Sequence, residues 1–346
     1  MVAGVTYISC SHSIEPLVHP TAATIMEDVN AAPKTPAPRT PAPETAAPRK
    51  RIGIIGSGPI AAAVSHALLR QELAHEVIAV PVPGGDLSEG PSKLIRTHTP
   101  TGATSLHAGE IENLSGTQAV VLALEESEGA PAVSIERIMK ELDRVAPDAV
   151  VIVACEATGC ATARVLGASA RSDTRIFGLG TCEETADLRR RVSSHYDVSD
   201  ASVYALVVGG RGKAAVPVWS HVLIGGHPII RGQVNGRTFD REAMWDAFYR
   251  SCDHATAPIE DGRKRDTFER CVGDCVRAVL EDTRAVLPVS TLVDGPFDVR
   301  KACLALPCII GKDGIHGRVL PDLSPDEEDA FRQSANAGSM LAADVV

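Results

Sequence analysis

The sequence predicts an α/β protein, a doubly wound parallel sheet followed by a mixed α+β lobe. Two observations carry that expectation. From Arg51 onward short apolar runs alternate with helical stretches, the signature of a parallel sheet covered on both faces. A glycine-rich turn, Gly56-Ser57-Gly58-Pro59-Ile60-Ala61, also stands directly between the first apolar run and the first helical stretch.

The elements follow in order. Residues 52–55 form a first strand, 60–73 a helix, 76–82 a second strand and 119–124 a later one. Residues 135–146 then read as a helix and 149–154 as another strand, so the first domain spans 51–155. The second domain, 156–346, mixes hairpin-like strands at 203–209 and 222–230 with helices at 241–252 and 264–280. A strand at 304–310 and a helix after Pro325 complete it. Residues 1–50 stand apart. Their second part is dominated by Pro, Ala and Thr, from Ala32-Pro33-Lys34-Thr35-Pro36 to Pro48, a composition that favours an extended tether over a packed element. We expect 1–50 to be a disordered segment and tether.

With 346 residues and 44% apolar composition the chain can bury a sizeable core. A formal net charge of −10 argues against nucleic acid and anionic lipid as partners, because both need a cationic surface to replace counterions. No apolar run approaches the roughly 20 residues a bilayer requires, and the first thirty lack the shape of a secretory signal. A cytoplasmic protein with a small-molecule substrate is the expectation. The nine cysteines lack paired zinc-type spacing, so we expect reduced thiols and no metal.

A Gly-x-Gly-x-x-Ala turn between strand and helix brings backbone amides and a helix N-terminus to a pyrophosphate, which makes Gly56, Ser57, Gly58, Pro59 and Ile60 the candidate cofactor-binding residues. The acid that would hold the ribose hydroxyls is missing. Val80 is followed by Pro81-Val82-Pro83-Gly84-Gly85, which leaves the cofactor open between NAD, NADP and none.

Three further stretches resemble the L-lactate and malate dehydrogenases over residues 51–341. They are Arg175-Ile176-Phe177-Gly178-Leu179-Gly180-Thr181, the run from Gly209-Gly210-Arg211-Gly212-Lys213 to Trp219-Ser220, and Leu287-Pro288-Val289-Ser290-Thr291 with the later Leu306-Pro307-Cys308-Ile309-Ile310-Gly311. The resemblance implies a Rossmann-like domain, a family-type C-terminal domain and a homo-oligomer. It also implies a site, in which this chain departs from the family's pattern. Arg211 stands where the catalytic histidine belongs, and a guanidinium cannot shuttle protons near neutrality. Glu184 falls at the orienting aspartate, and with Arg211 would make a bidentate ion pair that is either catalytic or simply structural. Asp187 replaces the arginine that grips a carboxylate. Glu125 lies in the segment of the mobile loop, Cys155 replaces an asparagine, and Thr267 matches the family. Two readings follow from these changes. One is an NAD(P)-linked oxidoreductase of altered substrate, with Glu125, Glu126 and Asp187 making an acidic cleft suited to a cation or a protonated imine. The other is a non-catalytic family member that serves as a binding or scaffold module.

Two thiols and two imidazoles also call for attention. Cys155 and Cys182 at strand ends could supply a thiol nucleophile beside Arg211 or Lys213, or could simply be buried. His221 and His227 could supply a proton from a shifted position, or merely be satisfied locally.

Overall fold

The computed structural model describes residues 49–82, 91, 104–125, 135–155, 158–253, 259 and 261–343. The expected tether and the stretch from Pro83 to Gly85 lie outside them. The first strand β1 (Arg51–Ile55) runs straight into the glycine turn, and α1 (Pro59–Arg70) follows with proline in its first turn, where a missing N–H costs nothing. The helix stops three residues before the predicted end. Gln71 caps it and Glu72 takes a left-handed conformation (φ 48°), so no further helical turn can form.

Next come β2 (Glu76–Val80), β3 (Ser105–Ala108) and β4 (Ala119–Ala123), then α2 (Ile135–Val145), β5 (Val150–Ala154), α3 (Thr158–Ala168) and β6 (Ile176–Gly178). β2 ends two residues before the expected 82, at Val80 before Pro81, as a residue without an amide donor requires. These six strands pair in parallel in the order β3-β2-β1-β4-β5-β6. Alternate side chains go to opposite cores. Ile52, Ile54 and Val121 pack with α1 on one face, while Ile55, Val120 and Leu122 join Ile138, Met139 and Leu142 of α2 on the other. With both faces buried, such strands read as unbroken apolar runs.

The second half starts with α4 (Cys182–Tyr196), followed by the short strands β7 (Val203–Tyr204), β8 (Val207–Gly209), β9 (Ala215–Pro217), β10 (Leu223–Ile224), β11 (His227–Pro228), β12 (Gln233–Val234) and β13 (Arg237–Thr238). The two long hairpin strands expected here are broken into pieces of two or three residues. Helices α5 (Arg241–Asp253) and α6 (Gly262–Leu280) precede β14 (Ala285–Val293), β15 (Ala302–Gly311) and β16 (Gly314–Arg318), and α7 (Pro325–Ala343) closes the chain. The main sheet does not stop at β6: it continues antiparallel through β14 and β15 to β8 and β9, with β16 paired to β15. A separate apolar core gathers Leu188, Val192, Tyr196, Trp219 and Phe248 beneath α4 and α5.

Helix α6 deserves note for its reach. Asp261 caps its start by accepting from the Arg263 and Lys264 amides. Its middle docks on α1, where buried Glu269 meets His66 Nδ1 at 2.8 Å and its carbonyl accepts from Gln71 Nε2 at 3.1 Å. No helix among the described residues is long and apolar enough to cross a membrane.

Candidate functional site

The chain arrives at the site through a tight turn. Gly180 takes φ +57°, and a Cβ there would collide with the carbonyl oxygen of Pro288, so only glycine serves. Thr181 then anchors the start of α4 by donating its hydroxyl to Val207 O at 2.6 Å. This fixes Glu183 and Glu184 in the first helical turn. Opposite, Arg211 leaves β8 with its side chain only 13% exposed, against 11% for Glu183 and 4% for Glu184.

The expected bidentate pair is replaced by a bridge across two carboxylates. Arg211 Nη2 donates to Glu183 Oε1 at 2.6 Å and Nε to Glu184 Oε1 at 3.1 Å, while Nη1 reaches Cys155 O at 3.4 Å. The Gly212 amide adds a longer contact of 3.3 Å to Glu184 Oε1. Glu184 Oε2 is buried with no hydrogen-bond partner among the described residues. Burial disfavours the Arg211 charge, but the facing Glu183 and Glu184 outweigh it and hold its pKa above the ordinary value. Burial raises the Glu183 carboxyl; Arg211 and Lys264 pull it back and Glu184 pushes it up, and the balance lies above its usual range. Arg211 is thus a fixed cation, and the Glu183 carboxyl is disposed to hold a proton. Glu183 went unnoticed in the sequence because its neighbour occupies the position the resemblance picked out.

These groups line a cavity of about 520 Å³ together with Asp187, Arg190, Arg191, Cys252, Asp261, Arg263, Lys264 and Thr267. Arg211, Glu184, Asp187 and Thr267 therefore line one cavity. Among the described residues of the expected acidic cleft, only Asp187 lines the cavity. Asp187 is engaged by two arginines of its own helix, Arg191 Nε at 2.6 Å and Arg190 Nη2 at 3.3 Å. Among the described residues the lining carries five cations (Arg190, Arg191, Arg211, Arg263, Lys264) and four acids (Glu183, Glu184, Asp187, Asp261). Glu125 is not part of this lining. Its carboxylate lies at the other end of the molecule's first helix, against the glycine turn, where Oε1 accepts from Ile60 N at 2.6 Å. Glu126 falls outside the described residues. Cys155 contributes its backbone carbonyl and is itself 1% exposed.

The other candidates are placed elsewhere. Cys182 is buried with Sγ 3.7 Å from Pro288 O. Contact with Cys271 works to lower its pKa, but Cys275 and burial win and hold the thiol well above its ordinary range, the reverse of what a nucleophile needs. His221 Nδ1 sits 3.0 Å from Ser220 Oγ, and exposed His227 Nε2 meets Arg231 O at 2.6 Å. Neither histidine lines the cavity. No cluster of three or more His, Cys, Asp or Glu among the described residues is arranged to hold a metal.

The glycine turn keeps the shape of an anion cradle. The Gly56 amide is tied to Val80 O at 3.0 Å and Val82 N donates to Ser57 Oγ at 3.3 Å, which seats the turn on the end of β2. Up to Val82, the described end of that strand offers no acid for a ribose. The Glu125 carboxylate on the Ile60 amide shows that the turn and the α1 N-terminus accept an anionic oxygen, so the residues fit a phosphate group.

Comparison with known proteins agrees with the architecture. The family described as lactate/malate dehydrogenase, α/β C-terminal domain, matches residues 184–339. The L-lactate dehydrogenase of Salinibacter ruber is 34% identical over 301 residues, covering 84% of this chain and 95% of that one. The malate dehydrogenase of Methanothermobacter thermautotrophicus is 30% identical over 252 residues, 66% of this chain and 75% of that one. Among solved structures, the minor L-lactate dehydrogenase of Enterococcus mundtii in its ligands-bound form superposes with a TM-score of 0.74 at 21% identity, covering 86% of this chain and 99% of that one. The lactate dehydrogenase of Cryptosporidium parvum, complexed with lactic acid and NAD, gives 0.71 at 20% identity, over 86% and 98%. With a dehydrogenase relative matched along nearly its whole length and the family's C-terminal domain matched over residues 184–339, the chain belongs to the lactate/malate dehydrogenase family.

Proposed function

We propose that the protein is an NAD(P)-linked oxidoreductase whose substrate is a small zwitterion with a protonated nitrogen at the reacting end, an α-imino acid or its amine product. The observation that carries this reading is the cavity floor, where two largely buried carboxylates, Glu183 and Glu184, face one guanidinium, Arg211. That floor is one negative charge in excess when both acids are ionised, so an N–H⁺ group is a fitting guest. Farther out, Arg263 and Lys264 at the start of α6 offer cations to an anionic group at the substrate's other end.

A nicotinamide dinucleotide, held at the glycine turn and the α1 N-terminus, would supply hydride to the imine carbon. The chain's own residues then have limited work. Glu183 and Glu184 hold the protonated nitrogen, and Arg211 bridges the two side chains. No group has to deliver a proton, because the imine nitrogen already carries one; loss of a histidine at Arg211 is compatible with such a reaction. The relatives that share the family name act on lactate or malate, and a 2-keto acid has no nitrogen to place at this floor. A cytoplasmic homo-oligomer, divided into domains at about residue 155, belongs to the same proposal.

The test is consumption of NADH and NADPH with cyclic imino acids and with 2-keto acids plus ammonium, alongside pyruvate and oxaloacetate. Turnover confined to the imines is expected. Turnover of pyruvate or oxaloacetate with none of the imines rejects the substrate assignment. A second reading, a non-catalytic family member, is favoured by the Glu125 carboxylate on the phosphate-binding amide. It is distinguished by titration, since a non-catalytic member of that kind shows no saturable dinucleotide binding at millimolar concentration.

A further inference from the structure

The glycine turn holds a ligand from its own chain. β1 and β4 are parallel neighbours with Ile55 opposite Leu122, so the third residue beyond each, Gly58 and Glu125, emerges at the same level of the sheet edge. The Glu125 side chain leans back over the turn. Its Oε1 accepts from Ile60 N at 2.6 Å, and a Cβ built on Gly58 would come within 2.7 Å of Glu125 Cγ and Oε1. The carboxylate thus covers the bare face that the missing Cβ opens. Helix α1 has no acid in its first turn and no side-chain cap from Gly58, so this distant carboxylate serves as its cap and meets the positive end of its dipole.

From this geometry we infer that Glu125 is a built-in competitor of the dinucleotide pyrophosphate: cofactor binds only when its phosphates displace the Glu125 carboxylate from the α1 N-terminus. The inference rests on the dinucleotide reading proposed above and adds a residue that weakens it. The amide of Ile60 has one hydrogen to give, and a pyrophosphate brought to it would stand against a fixed negative charge. Both effects oppose binding. Neither depends on the chemistry at Arg211, because Glu125 does not line the cavity.

The experiment is a fluorescence titration of NADH into the full chain and into Glu125→Ala and Glu125→Gln variants, with adenosine as a probe that has no phosphate. The expected result is a dissociation constant at least tenfold lower for the alanine variant, an intermediate value for glutamine, and no change for adenosine. Saturable NADH binding by the wild-type chain at unchanged affinity in both variants overturns the inference while leaving the dinucleotide reading standing. Absence of binding to all three proteins at millimolar NADH overturns both. Thermal unfolding of each variant shows that it is folded, and the near-isosteric glutamine variant decides the matter if alanine is not. Binding that appears only in the variants supports the inference in its strongest form.

Discussion

Replacing Arg211 by methionine tests the description of the site as a charge bridge. The substitution keeps much of the side chain's length and removes every donor, leaving Glu183 and Glu184 adjacent, 11% and 4% exposed, with no guanidinium between them. Three hydrogen bonds go with it, at 2.6, 3.1 and 3.4 Å. Removing one member of a buried ionic cluster costs about 3–5 kcal/mol, because the remaining charges stay desolvated. At roughly 2 °C per kcal/mol for a fold of this size, the melting temperature at pH 7.5 should fall by about 6–10 °C. The loss must depend on pH. Glu183 already has a folded pKa above its unfolded value, so it favours the native state below the ordinary carboxylate pKa and loses that contribution as pH rises through the raised value. Without Arg211 the raised value moves higher still. The deficit should therefore shrink toward about 1 kcal/mol as pH falls and the Glu183 carboxyl takes up its proton, leaving chiefly the lost hydrogen bonds. Calorimetric melting from pH 4 to 8 reads this directly. An Arg211→Met variant that melts within 2 °C of wild type at pH 7.5, or with a pH-independent deficit, would refute the account of a buried bridge.

A Glu183→Gln change in the Arg211→Met background should restore at least half of the stability lost at pH 7.5, checked by the same melting curves. Gly180→Ala should cost about 2–4 kcal/mol, since the left-handed backbone and the Pro288 carbonyl both resist a Cβ; urea unfolding measures it, and a loss below 0.5 kcal/mol would contradict the turn geometry. Asp187→Asn should change stability by less than about 1 kcal/mol, because its partners are part-exposed arginines on the same helix. The same variant should bind small dicarboxylates more tightly by releasing Arg190 and Arg191, as calorimetric titration would show. Cys182 and Cys271, both buried with thiols held well above their ordinary range, should resist iodoacetamide at pH 7.5 until the protein unfolds. Peptide mapping by mass spectrometry detects the modification.

The strands of the parallel sheet could be read from the sequence wherever both faces are buried, because Ile52, Ile54 and Ile55 or Val120, Val121 and Leu122 leave an unbroken apolar run. β3 could not be found that way. Its residues Ser105 to Ala108 are mostly exposed and carry no pattern. The broken hairpins at 203–230 share the difficulty, since two-residue strands are set by tertiary pairing rather than by local preference. At the site, the negative charge of Asp187 was visible, yet its neutralisation was also written in the sequence as Arg190 and Arg191, three and four residues on along one helix. Glu125 was misplaced for a different reason. Its segment was assigned by resemblance to a loop over the substrate, whereas the parallel register of β1 and β4 brings its first residue level with Gly58.

Helix α6 ties the two halves of the proposed chemistry into a lever. Thr267 stands on the cavity wall, and Glu269, two residues later, is clamped to His66, Arg265 and the helix that begins at the glycine turn. Gln71 of α1 holds α6 from both sides, donating to Glu269 O and accepting from Arg277 at 3.1 Å. A rigid strut of this kind lets no small tilt of α1 pass unnoticed at Lys264 and Thr267. The helix that begins at the glycine turn and the helix that carries Thr267 are thus packed as one unit.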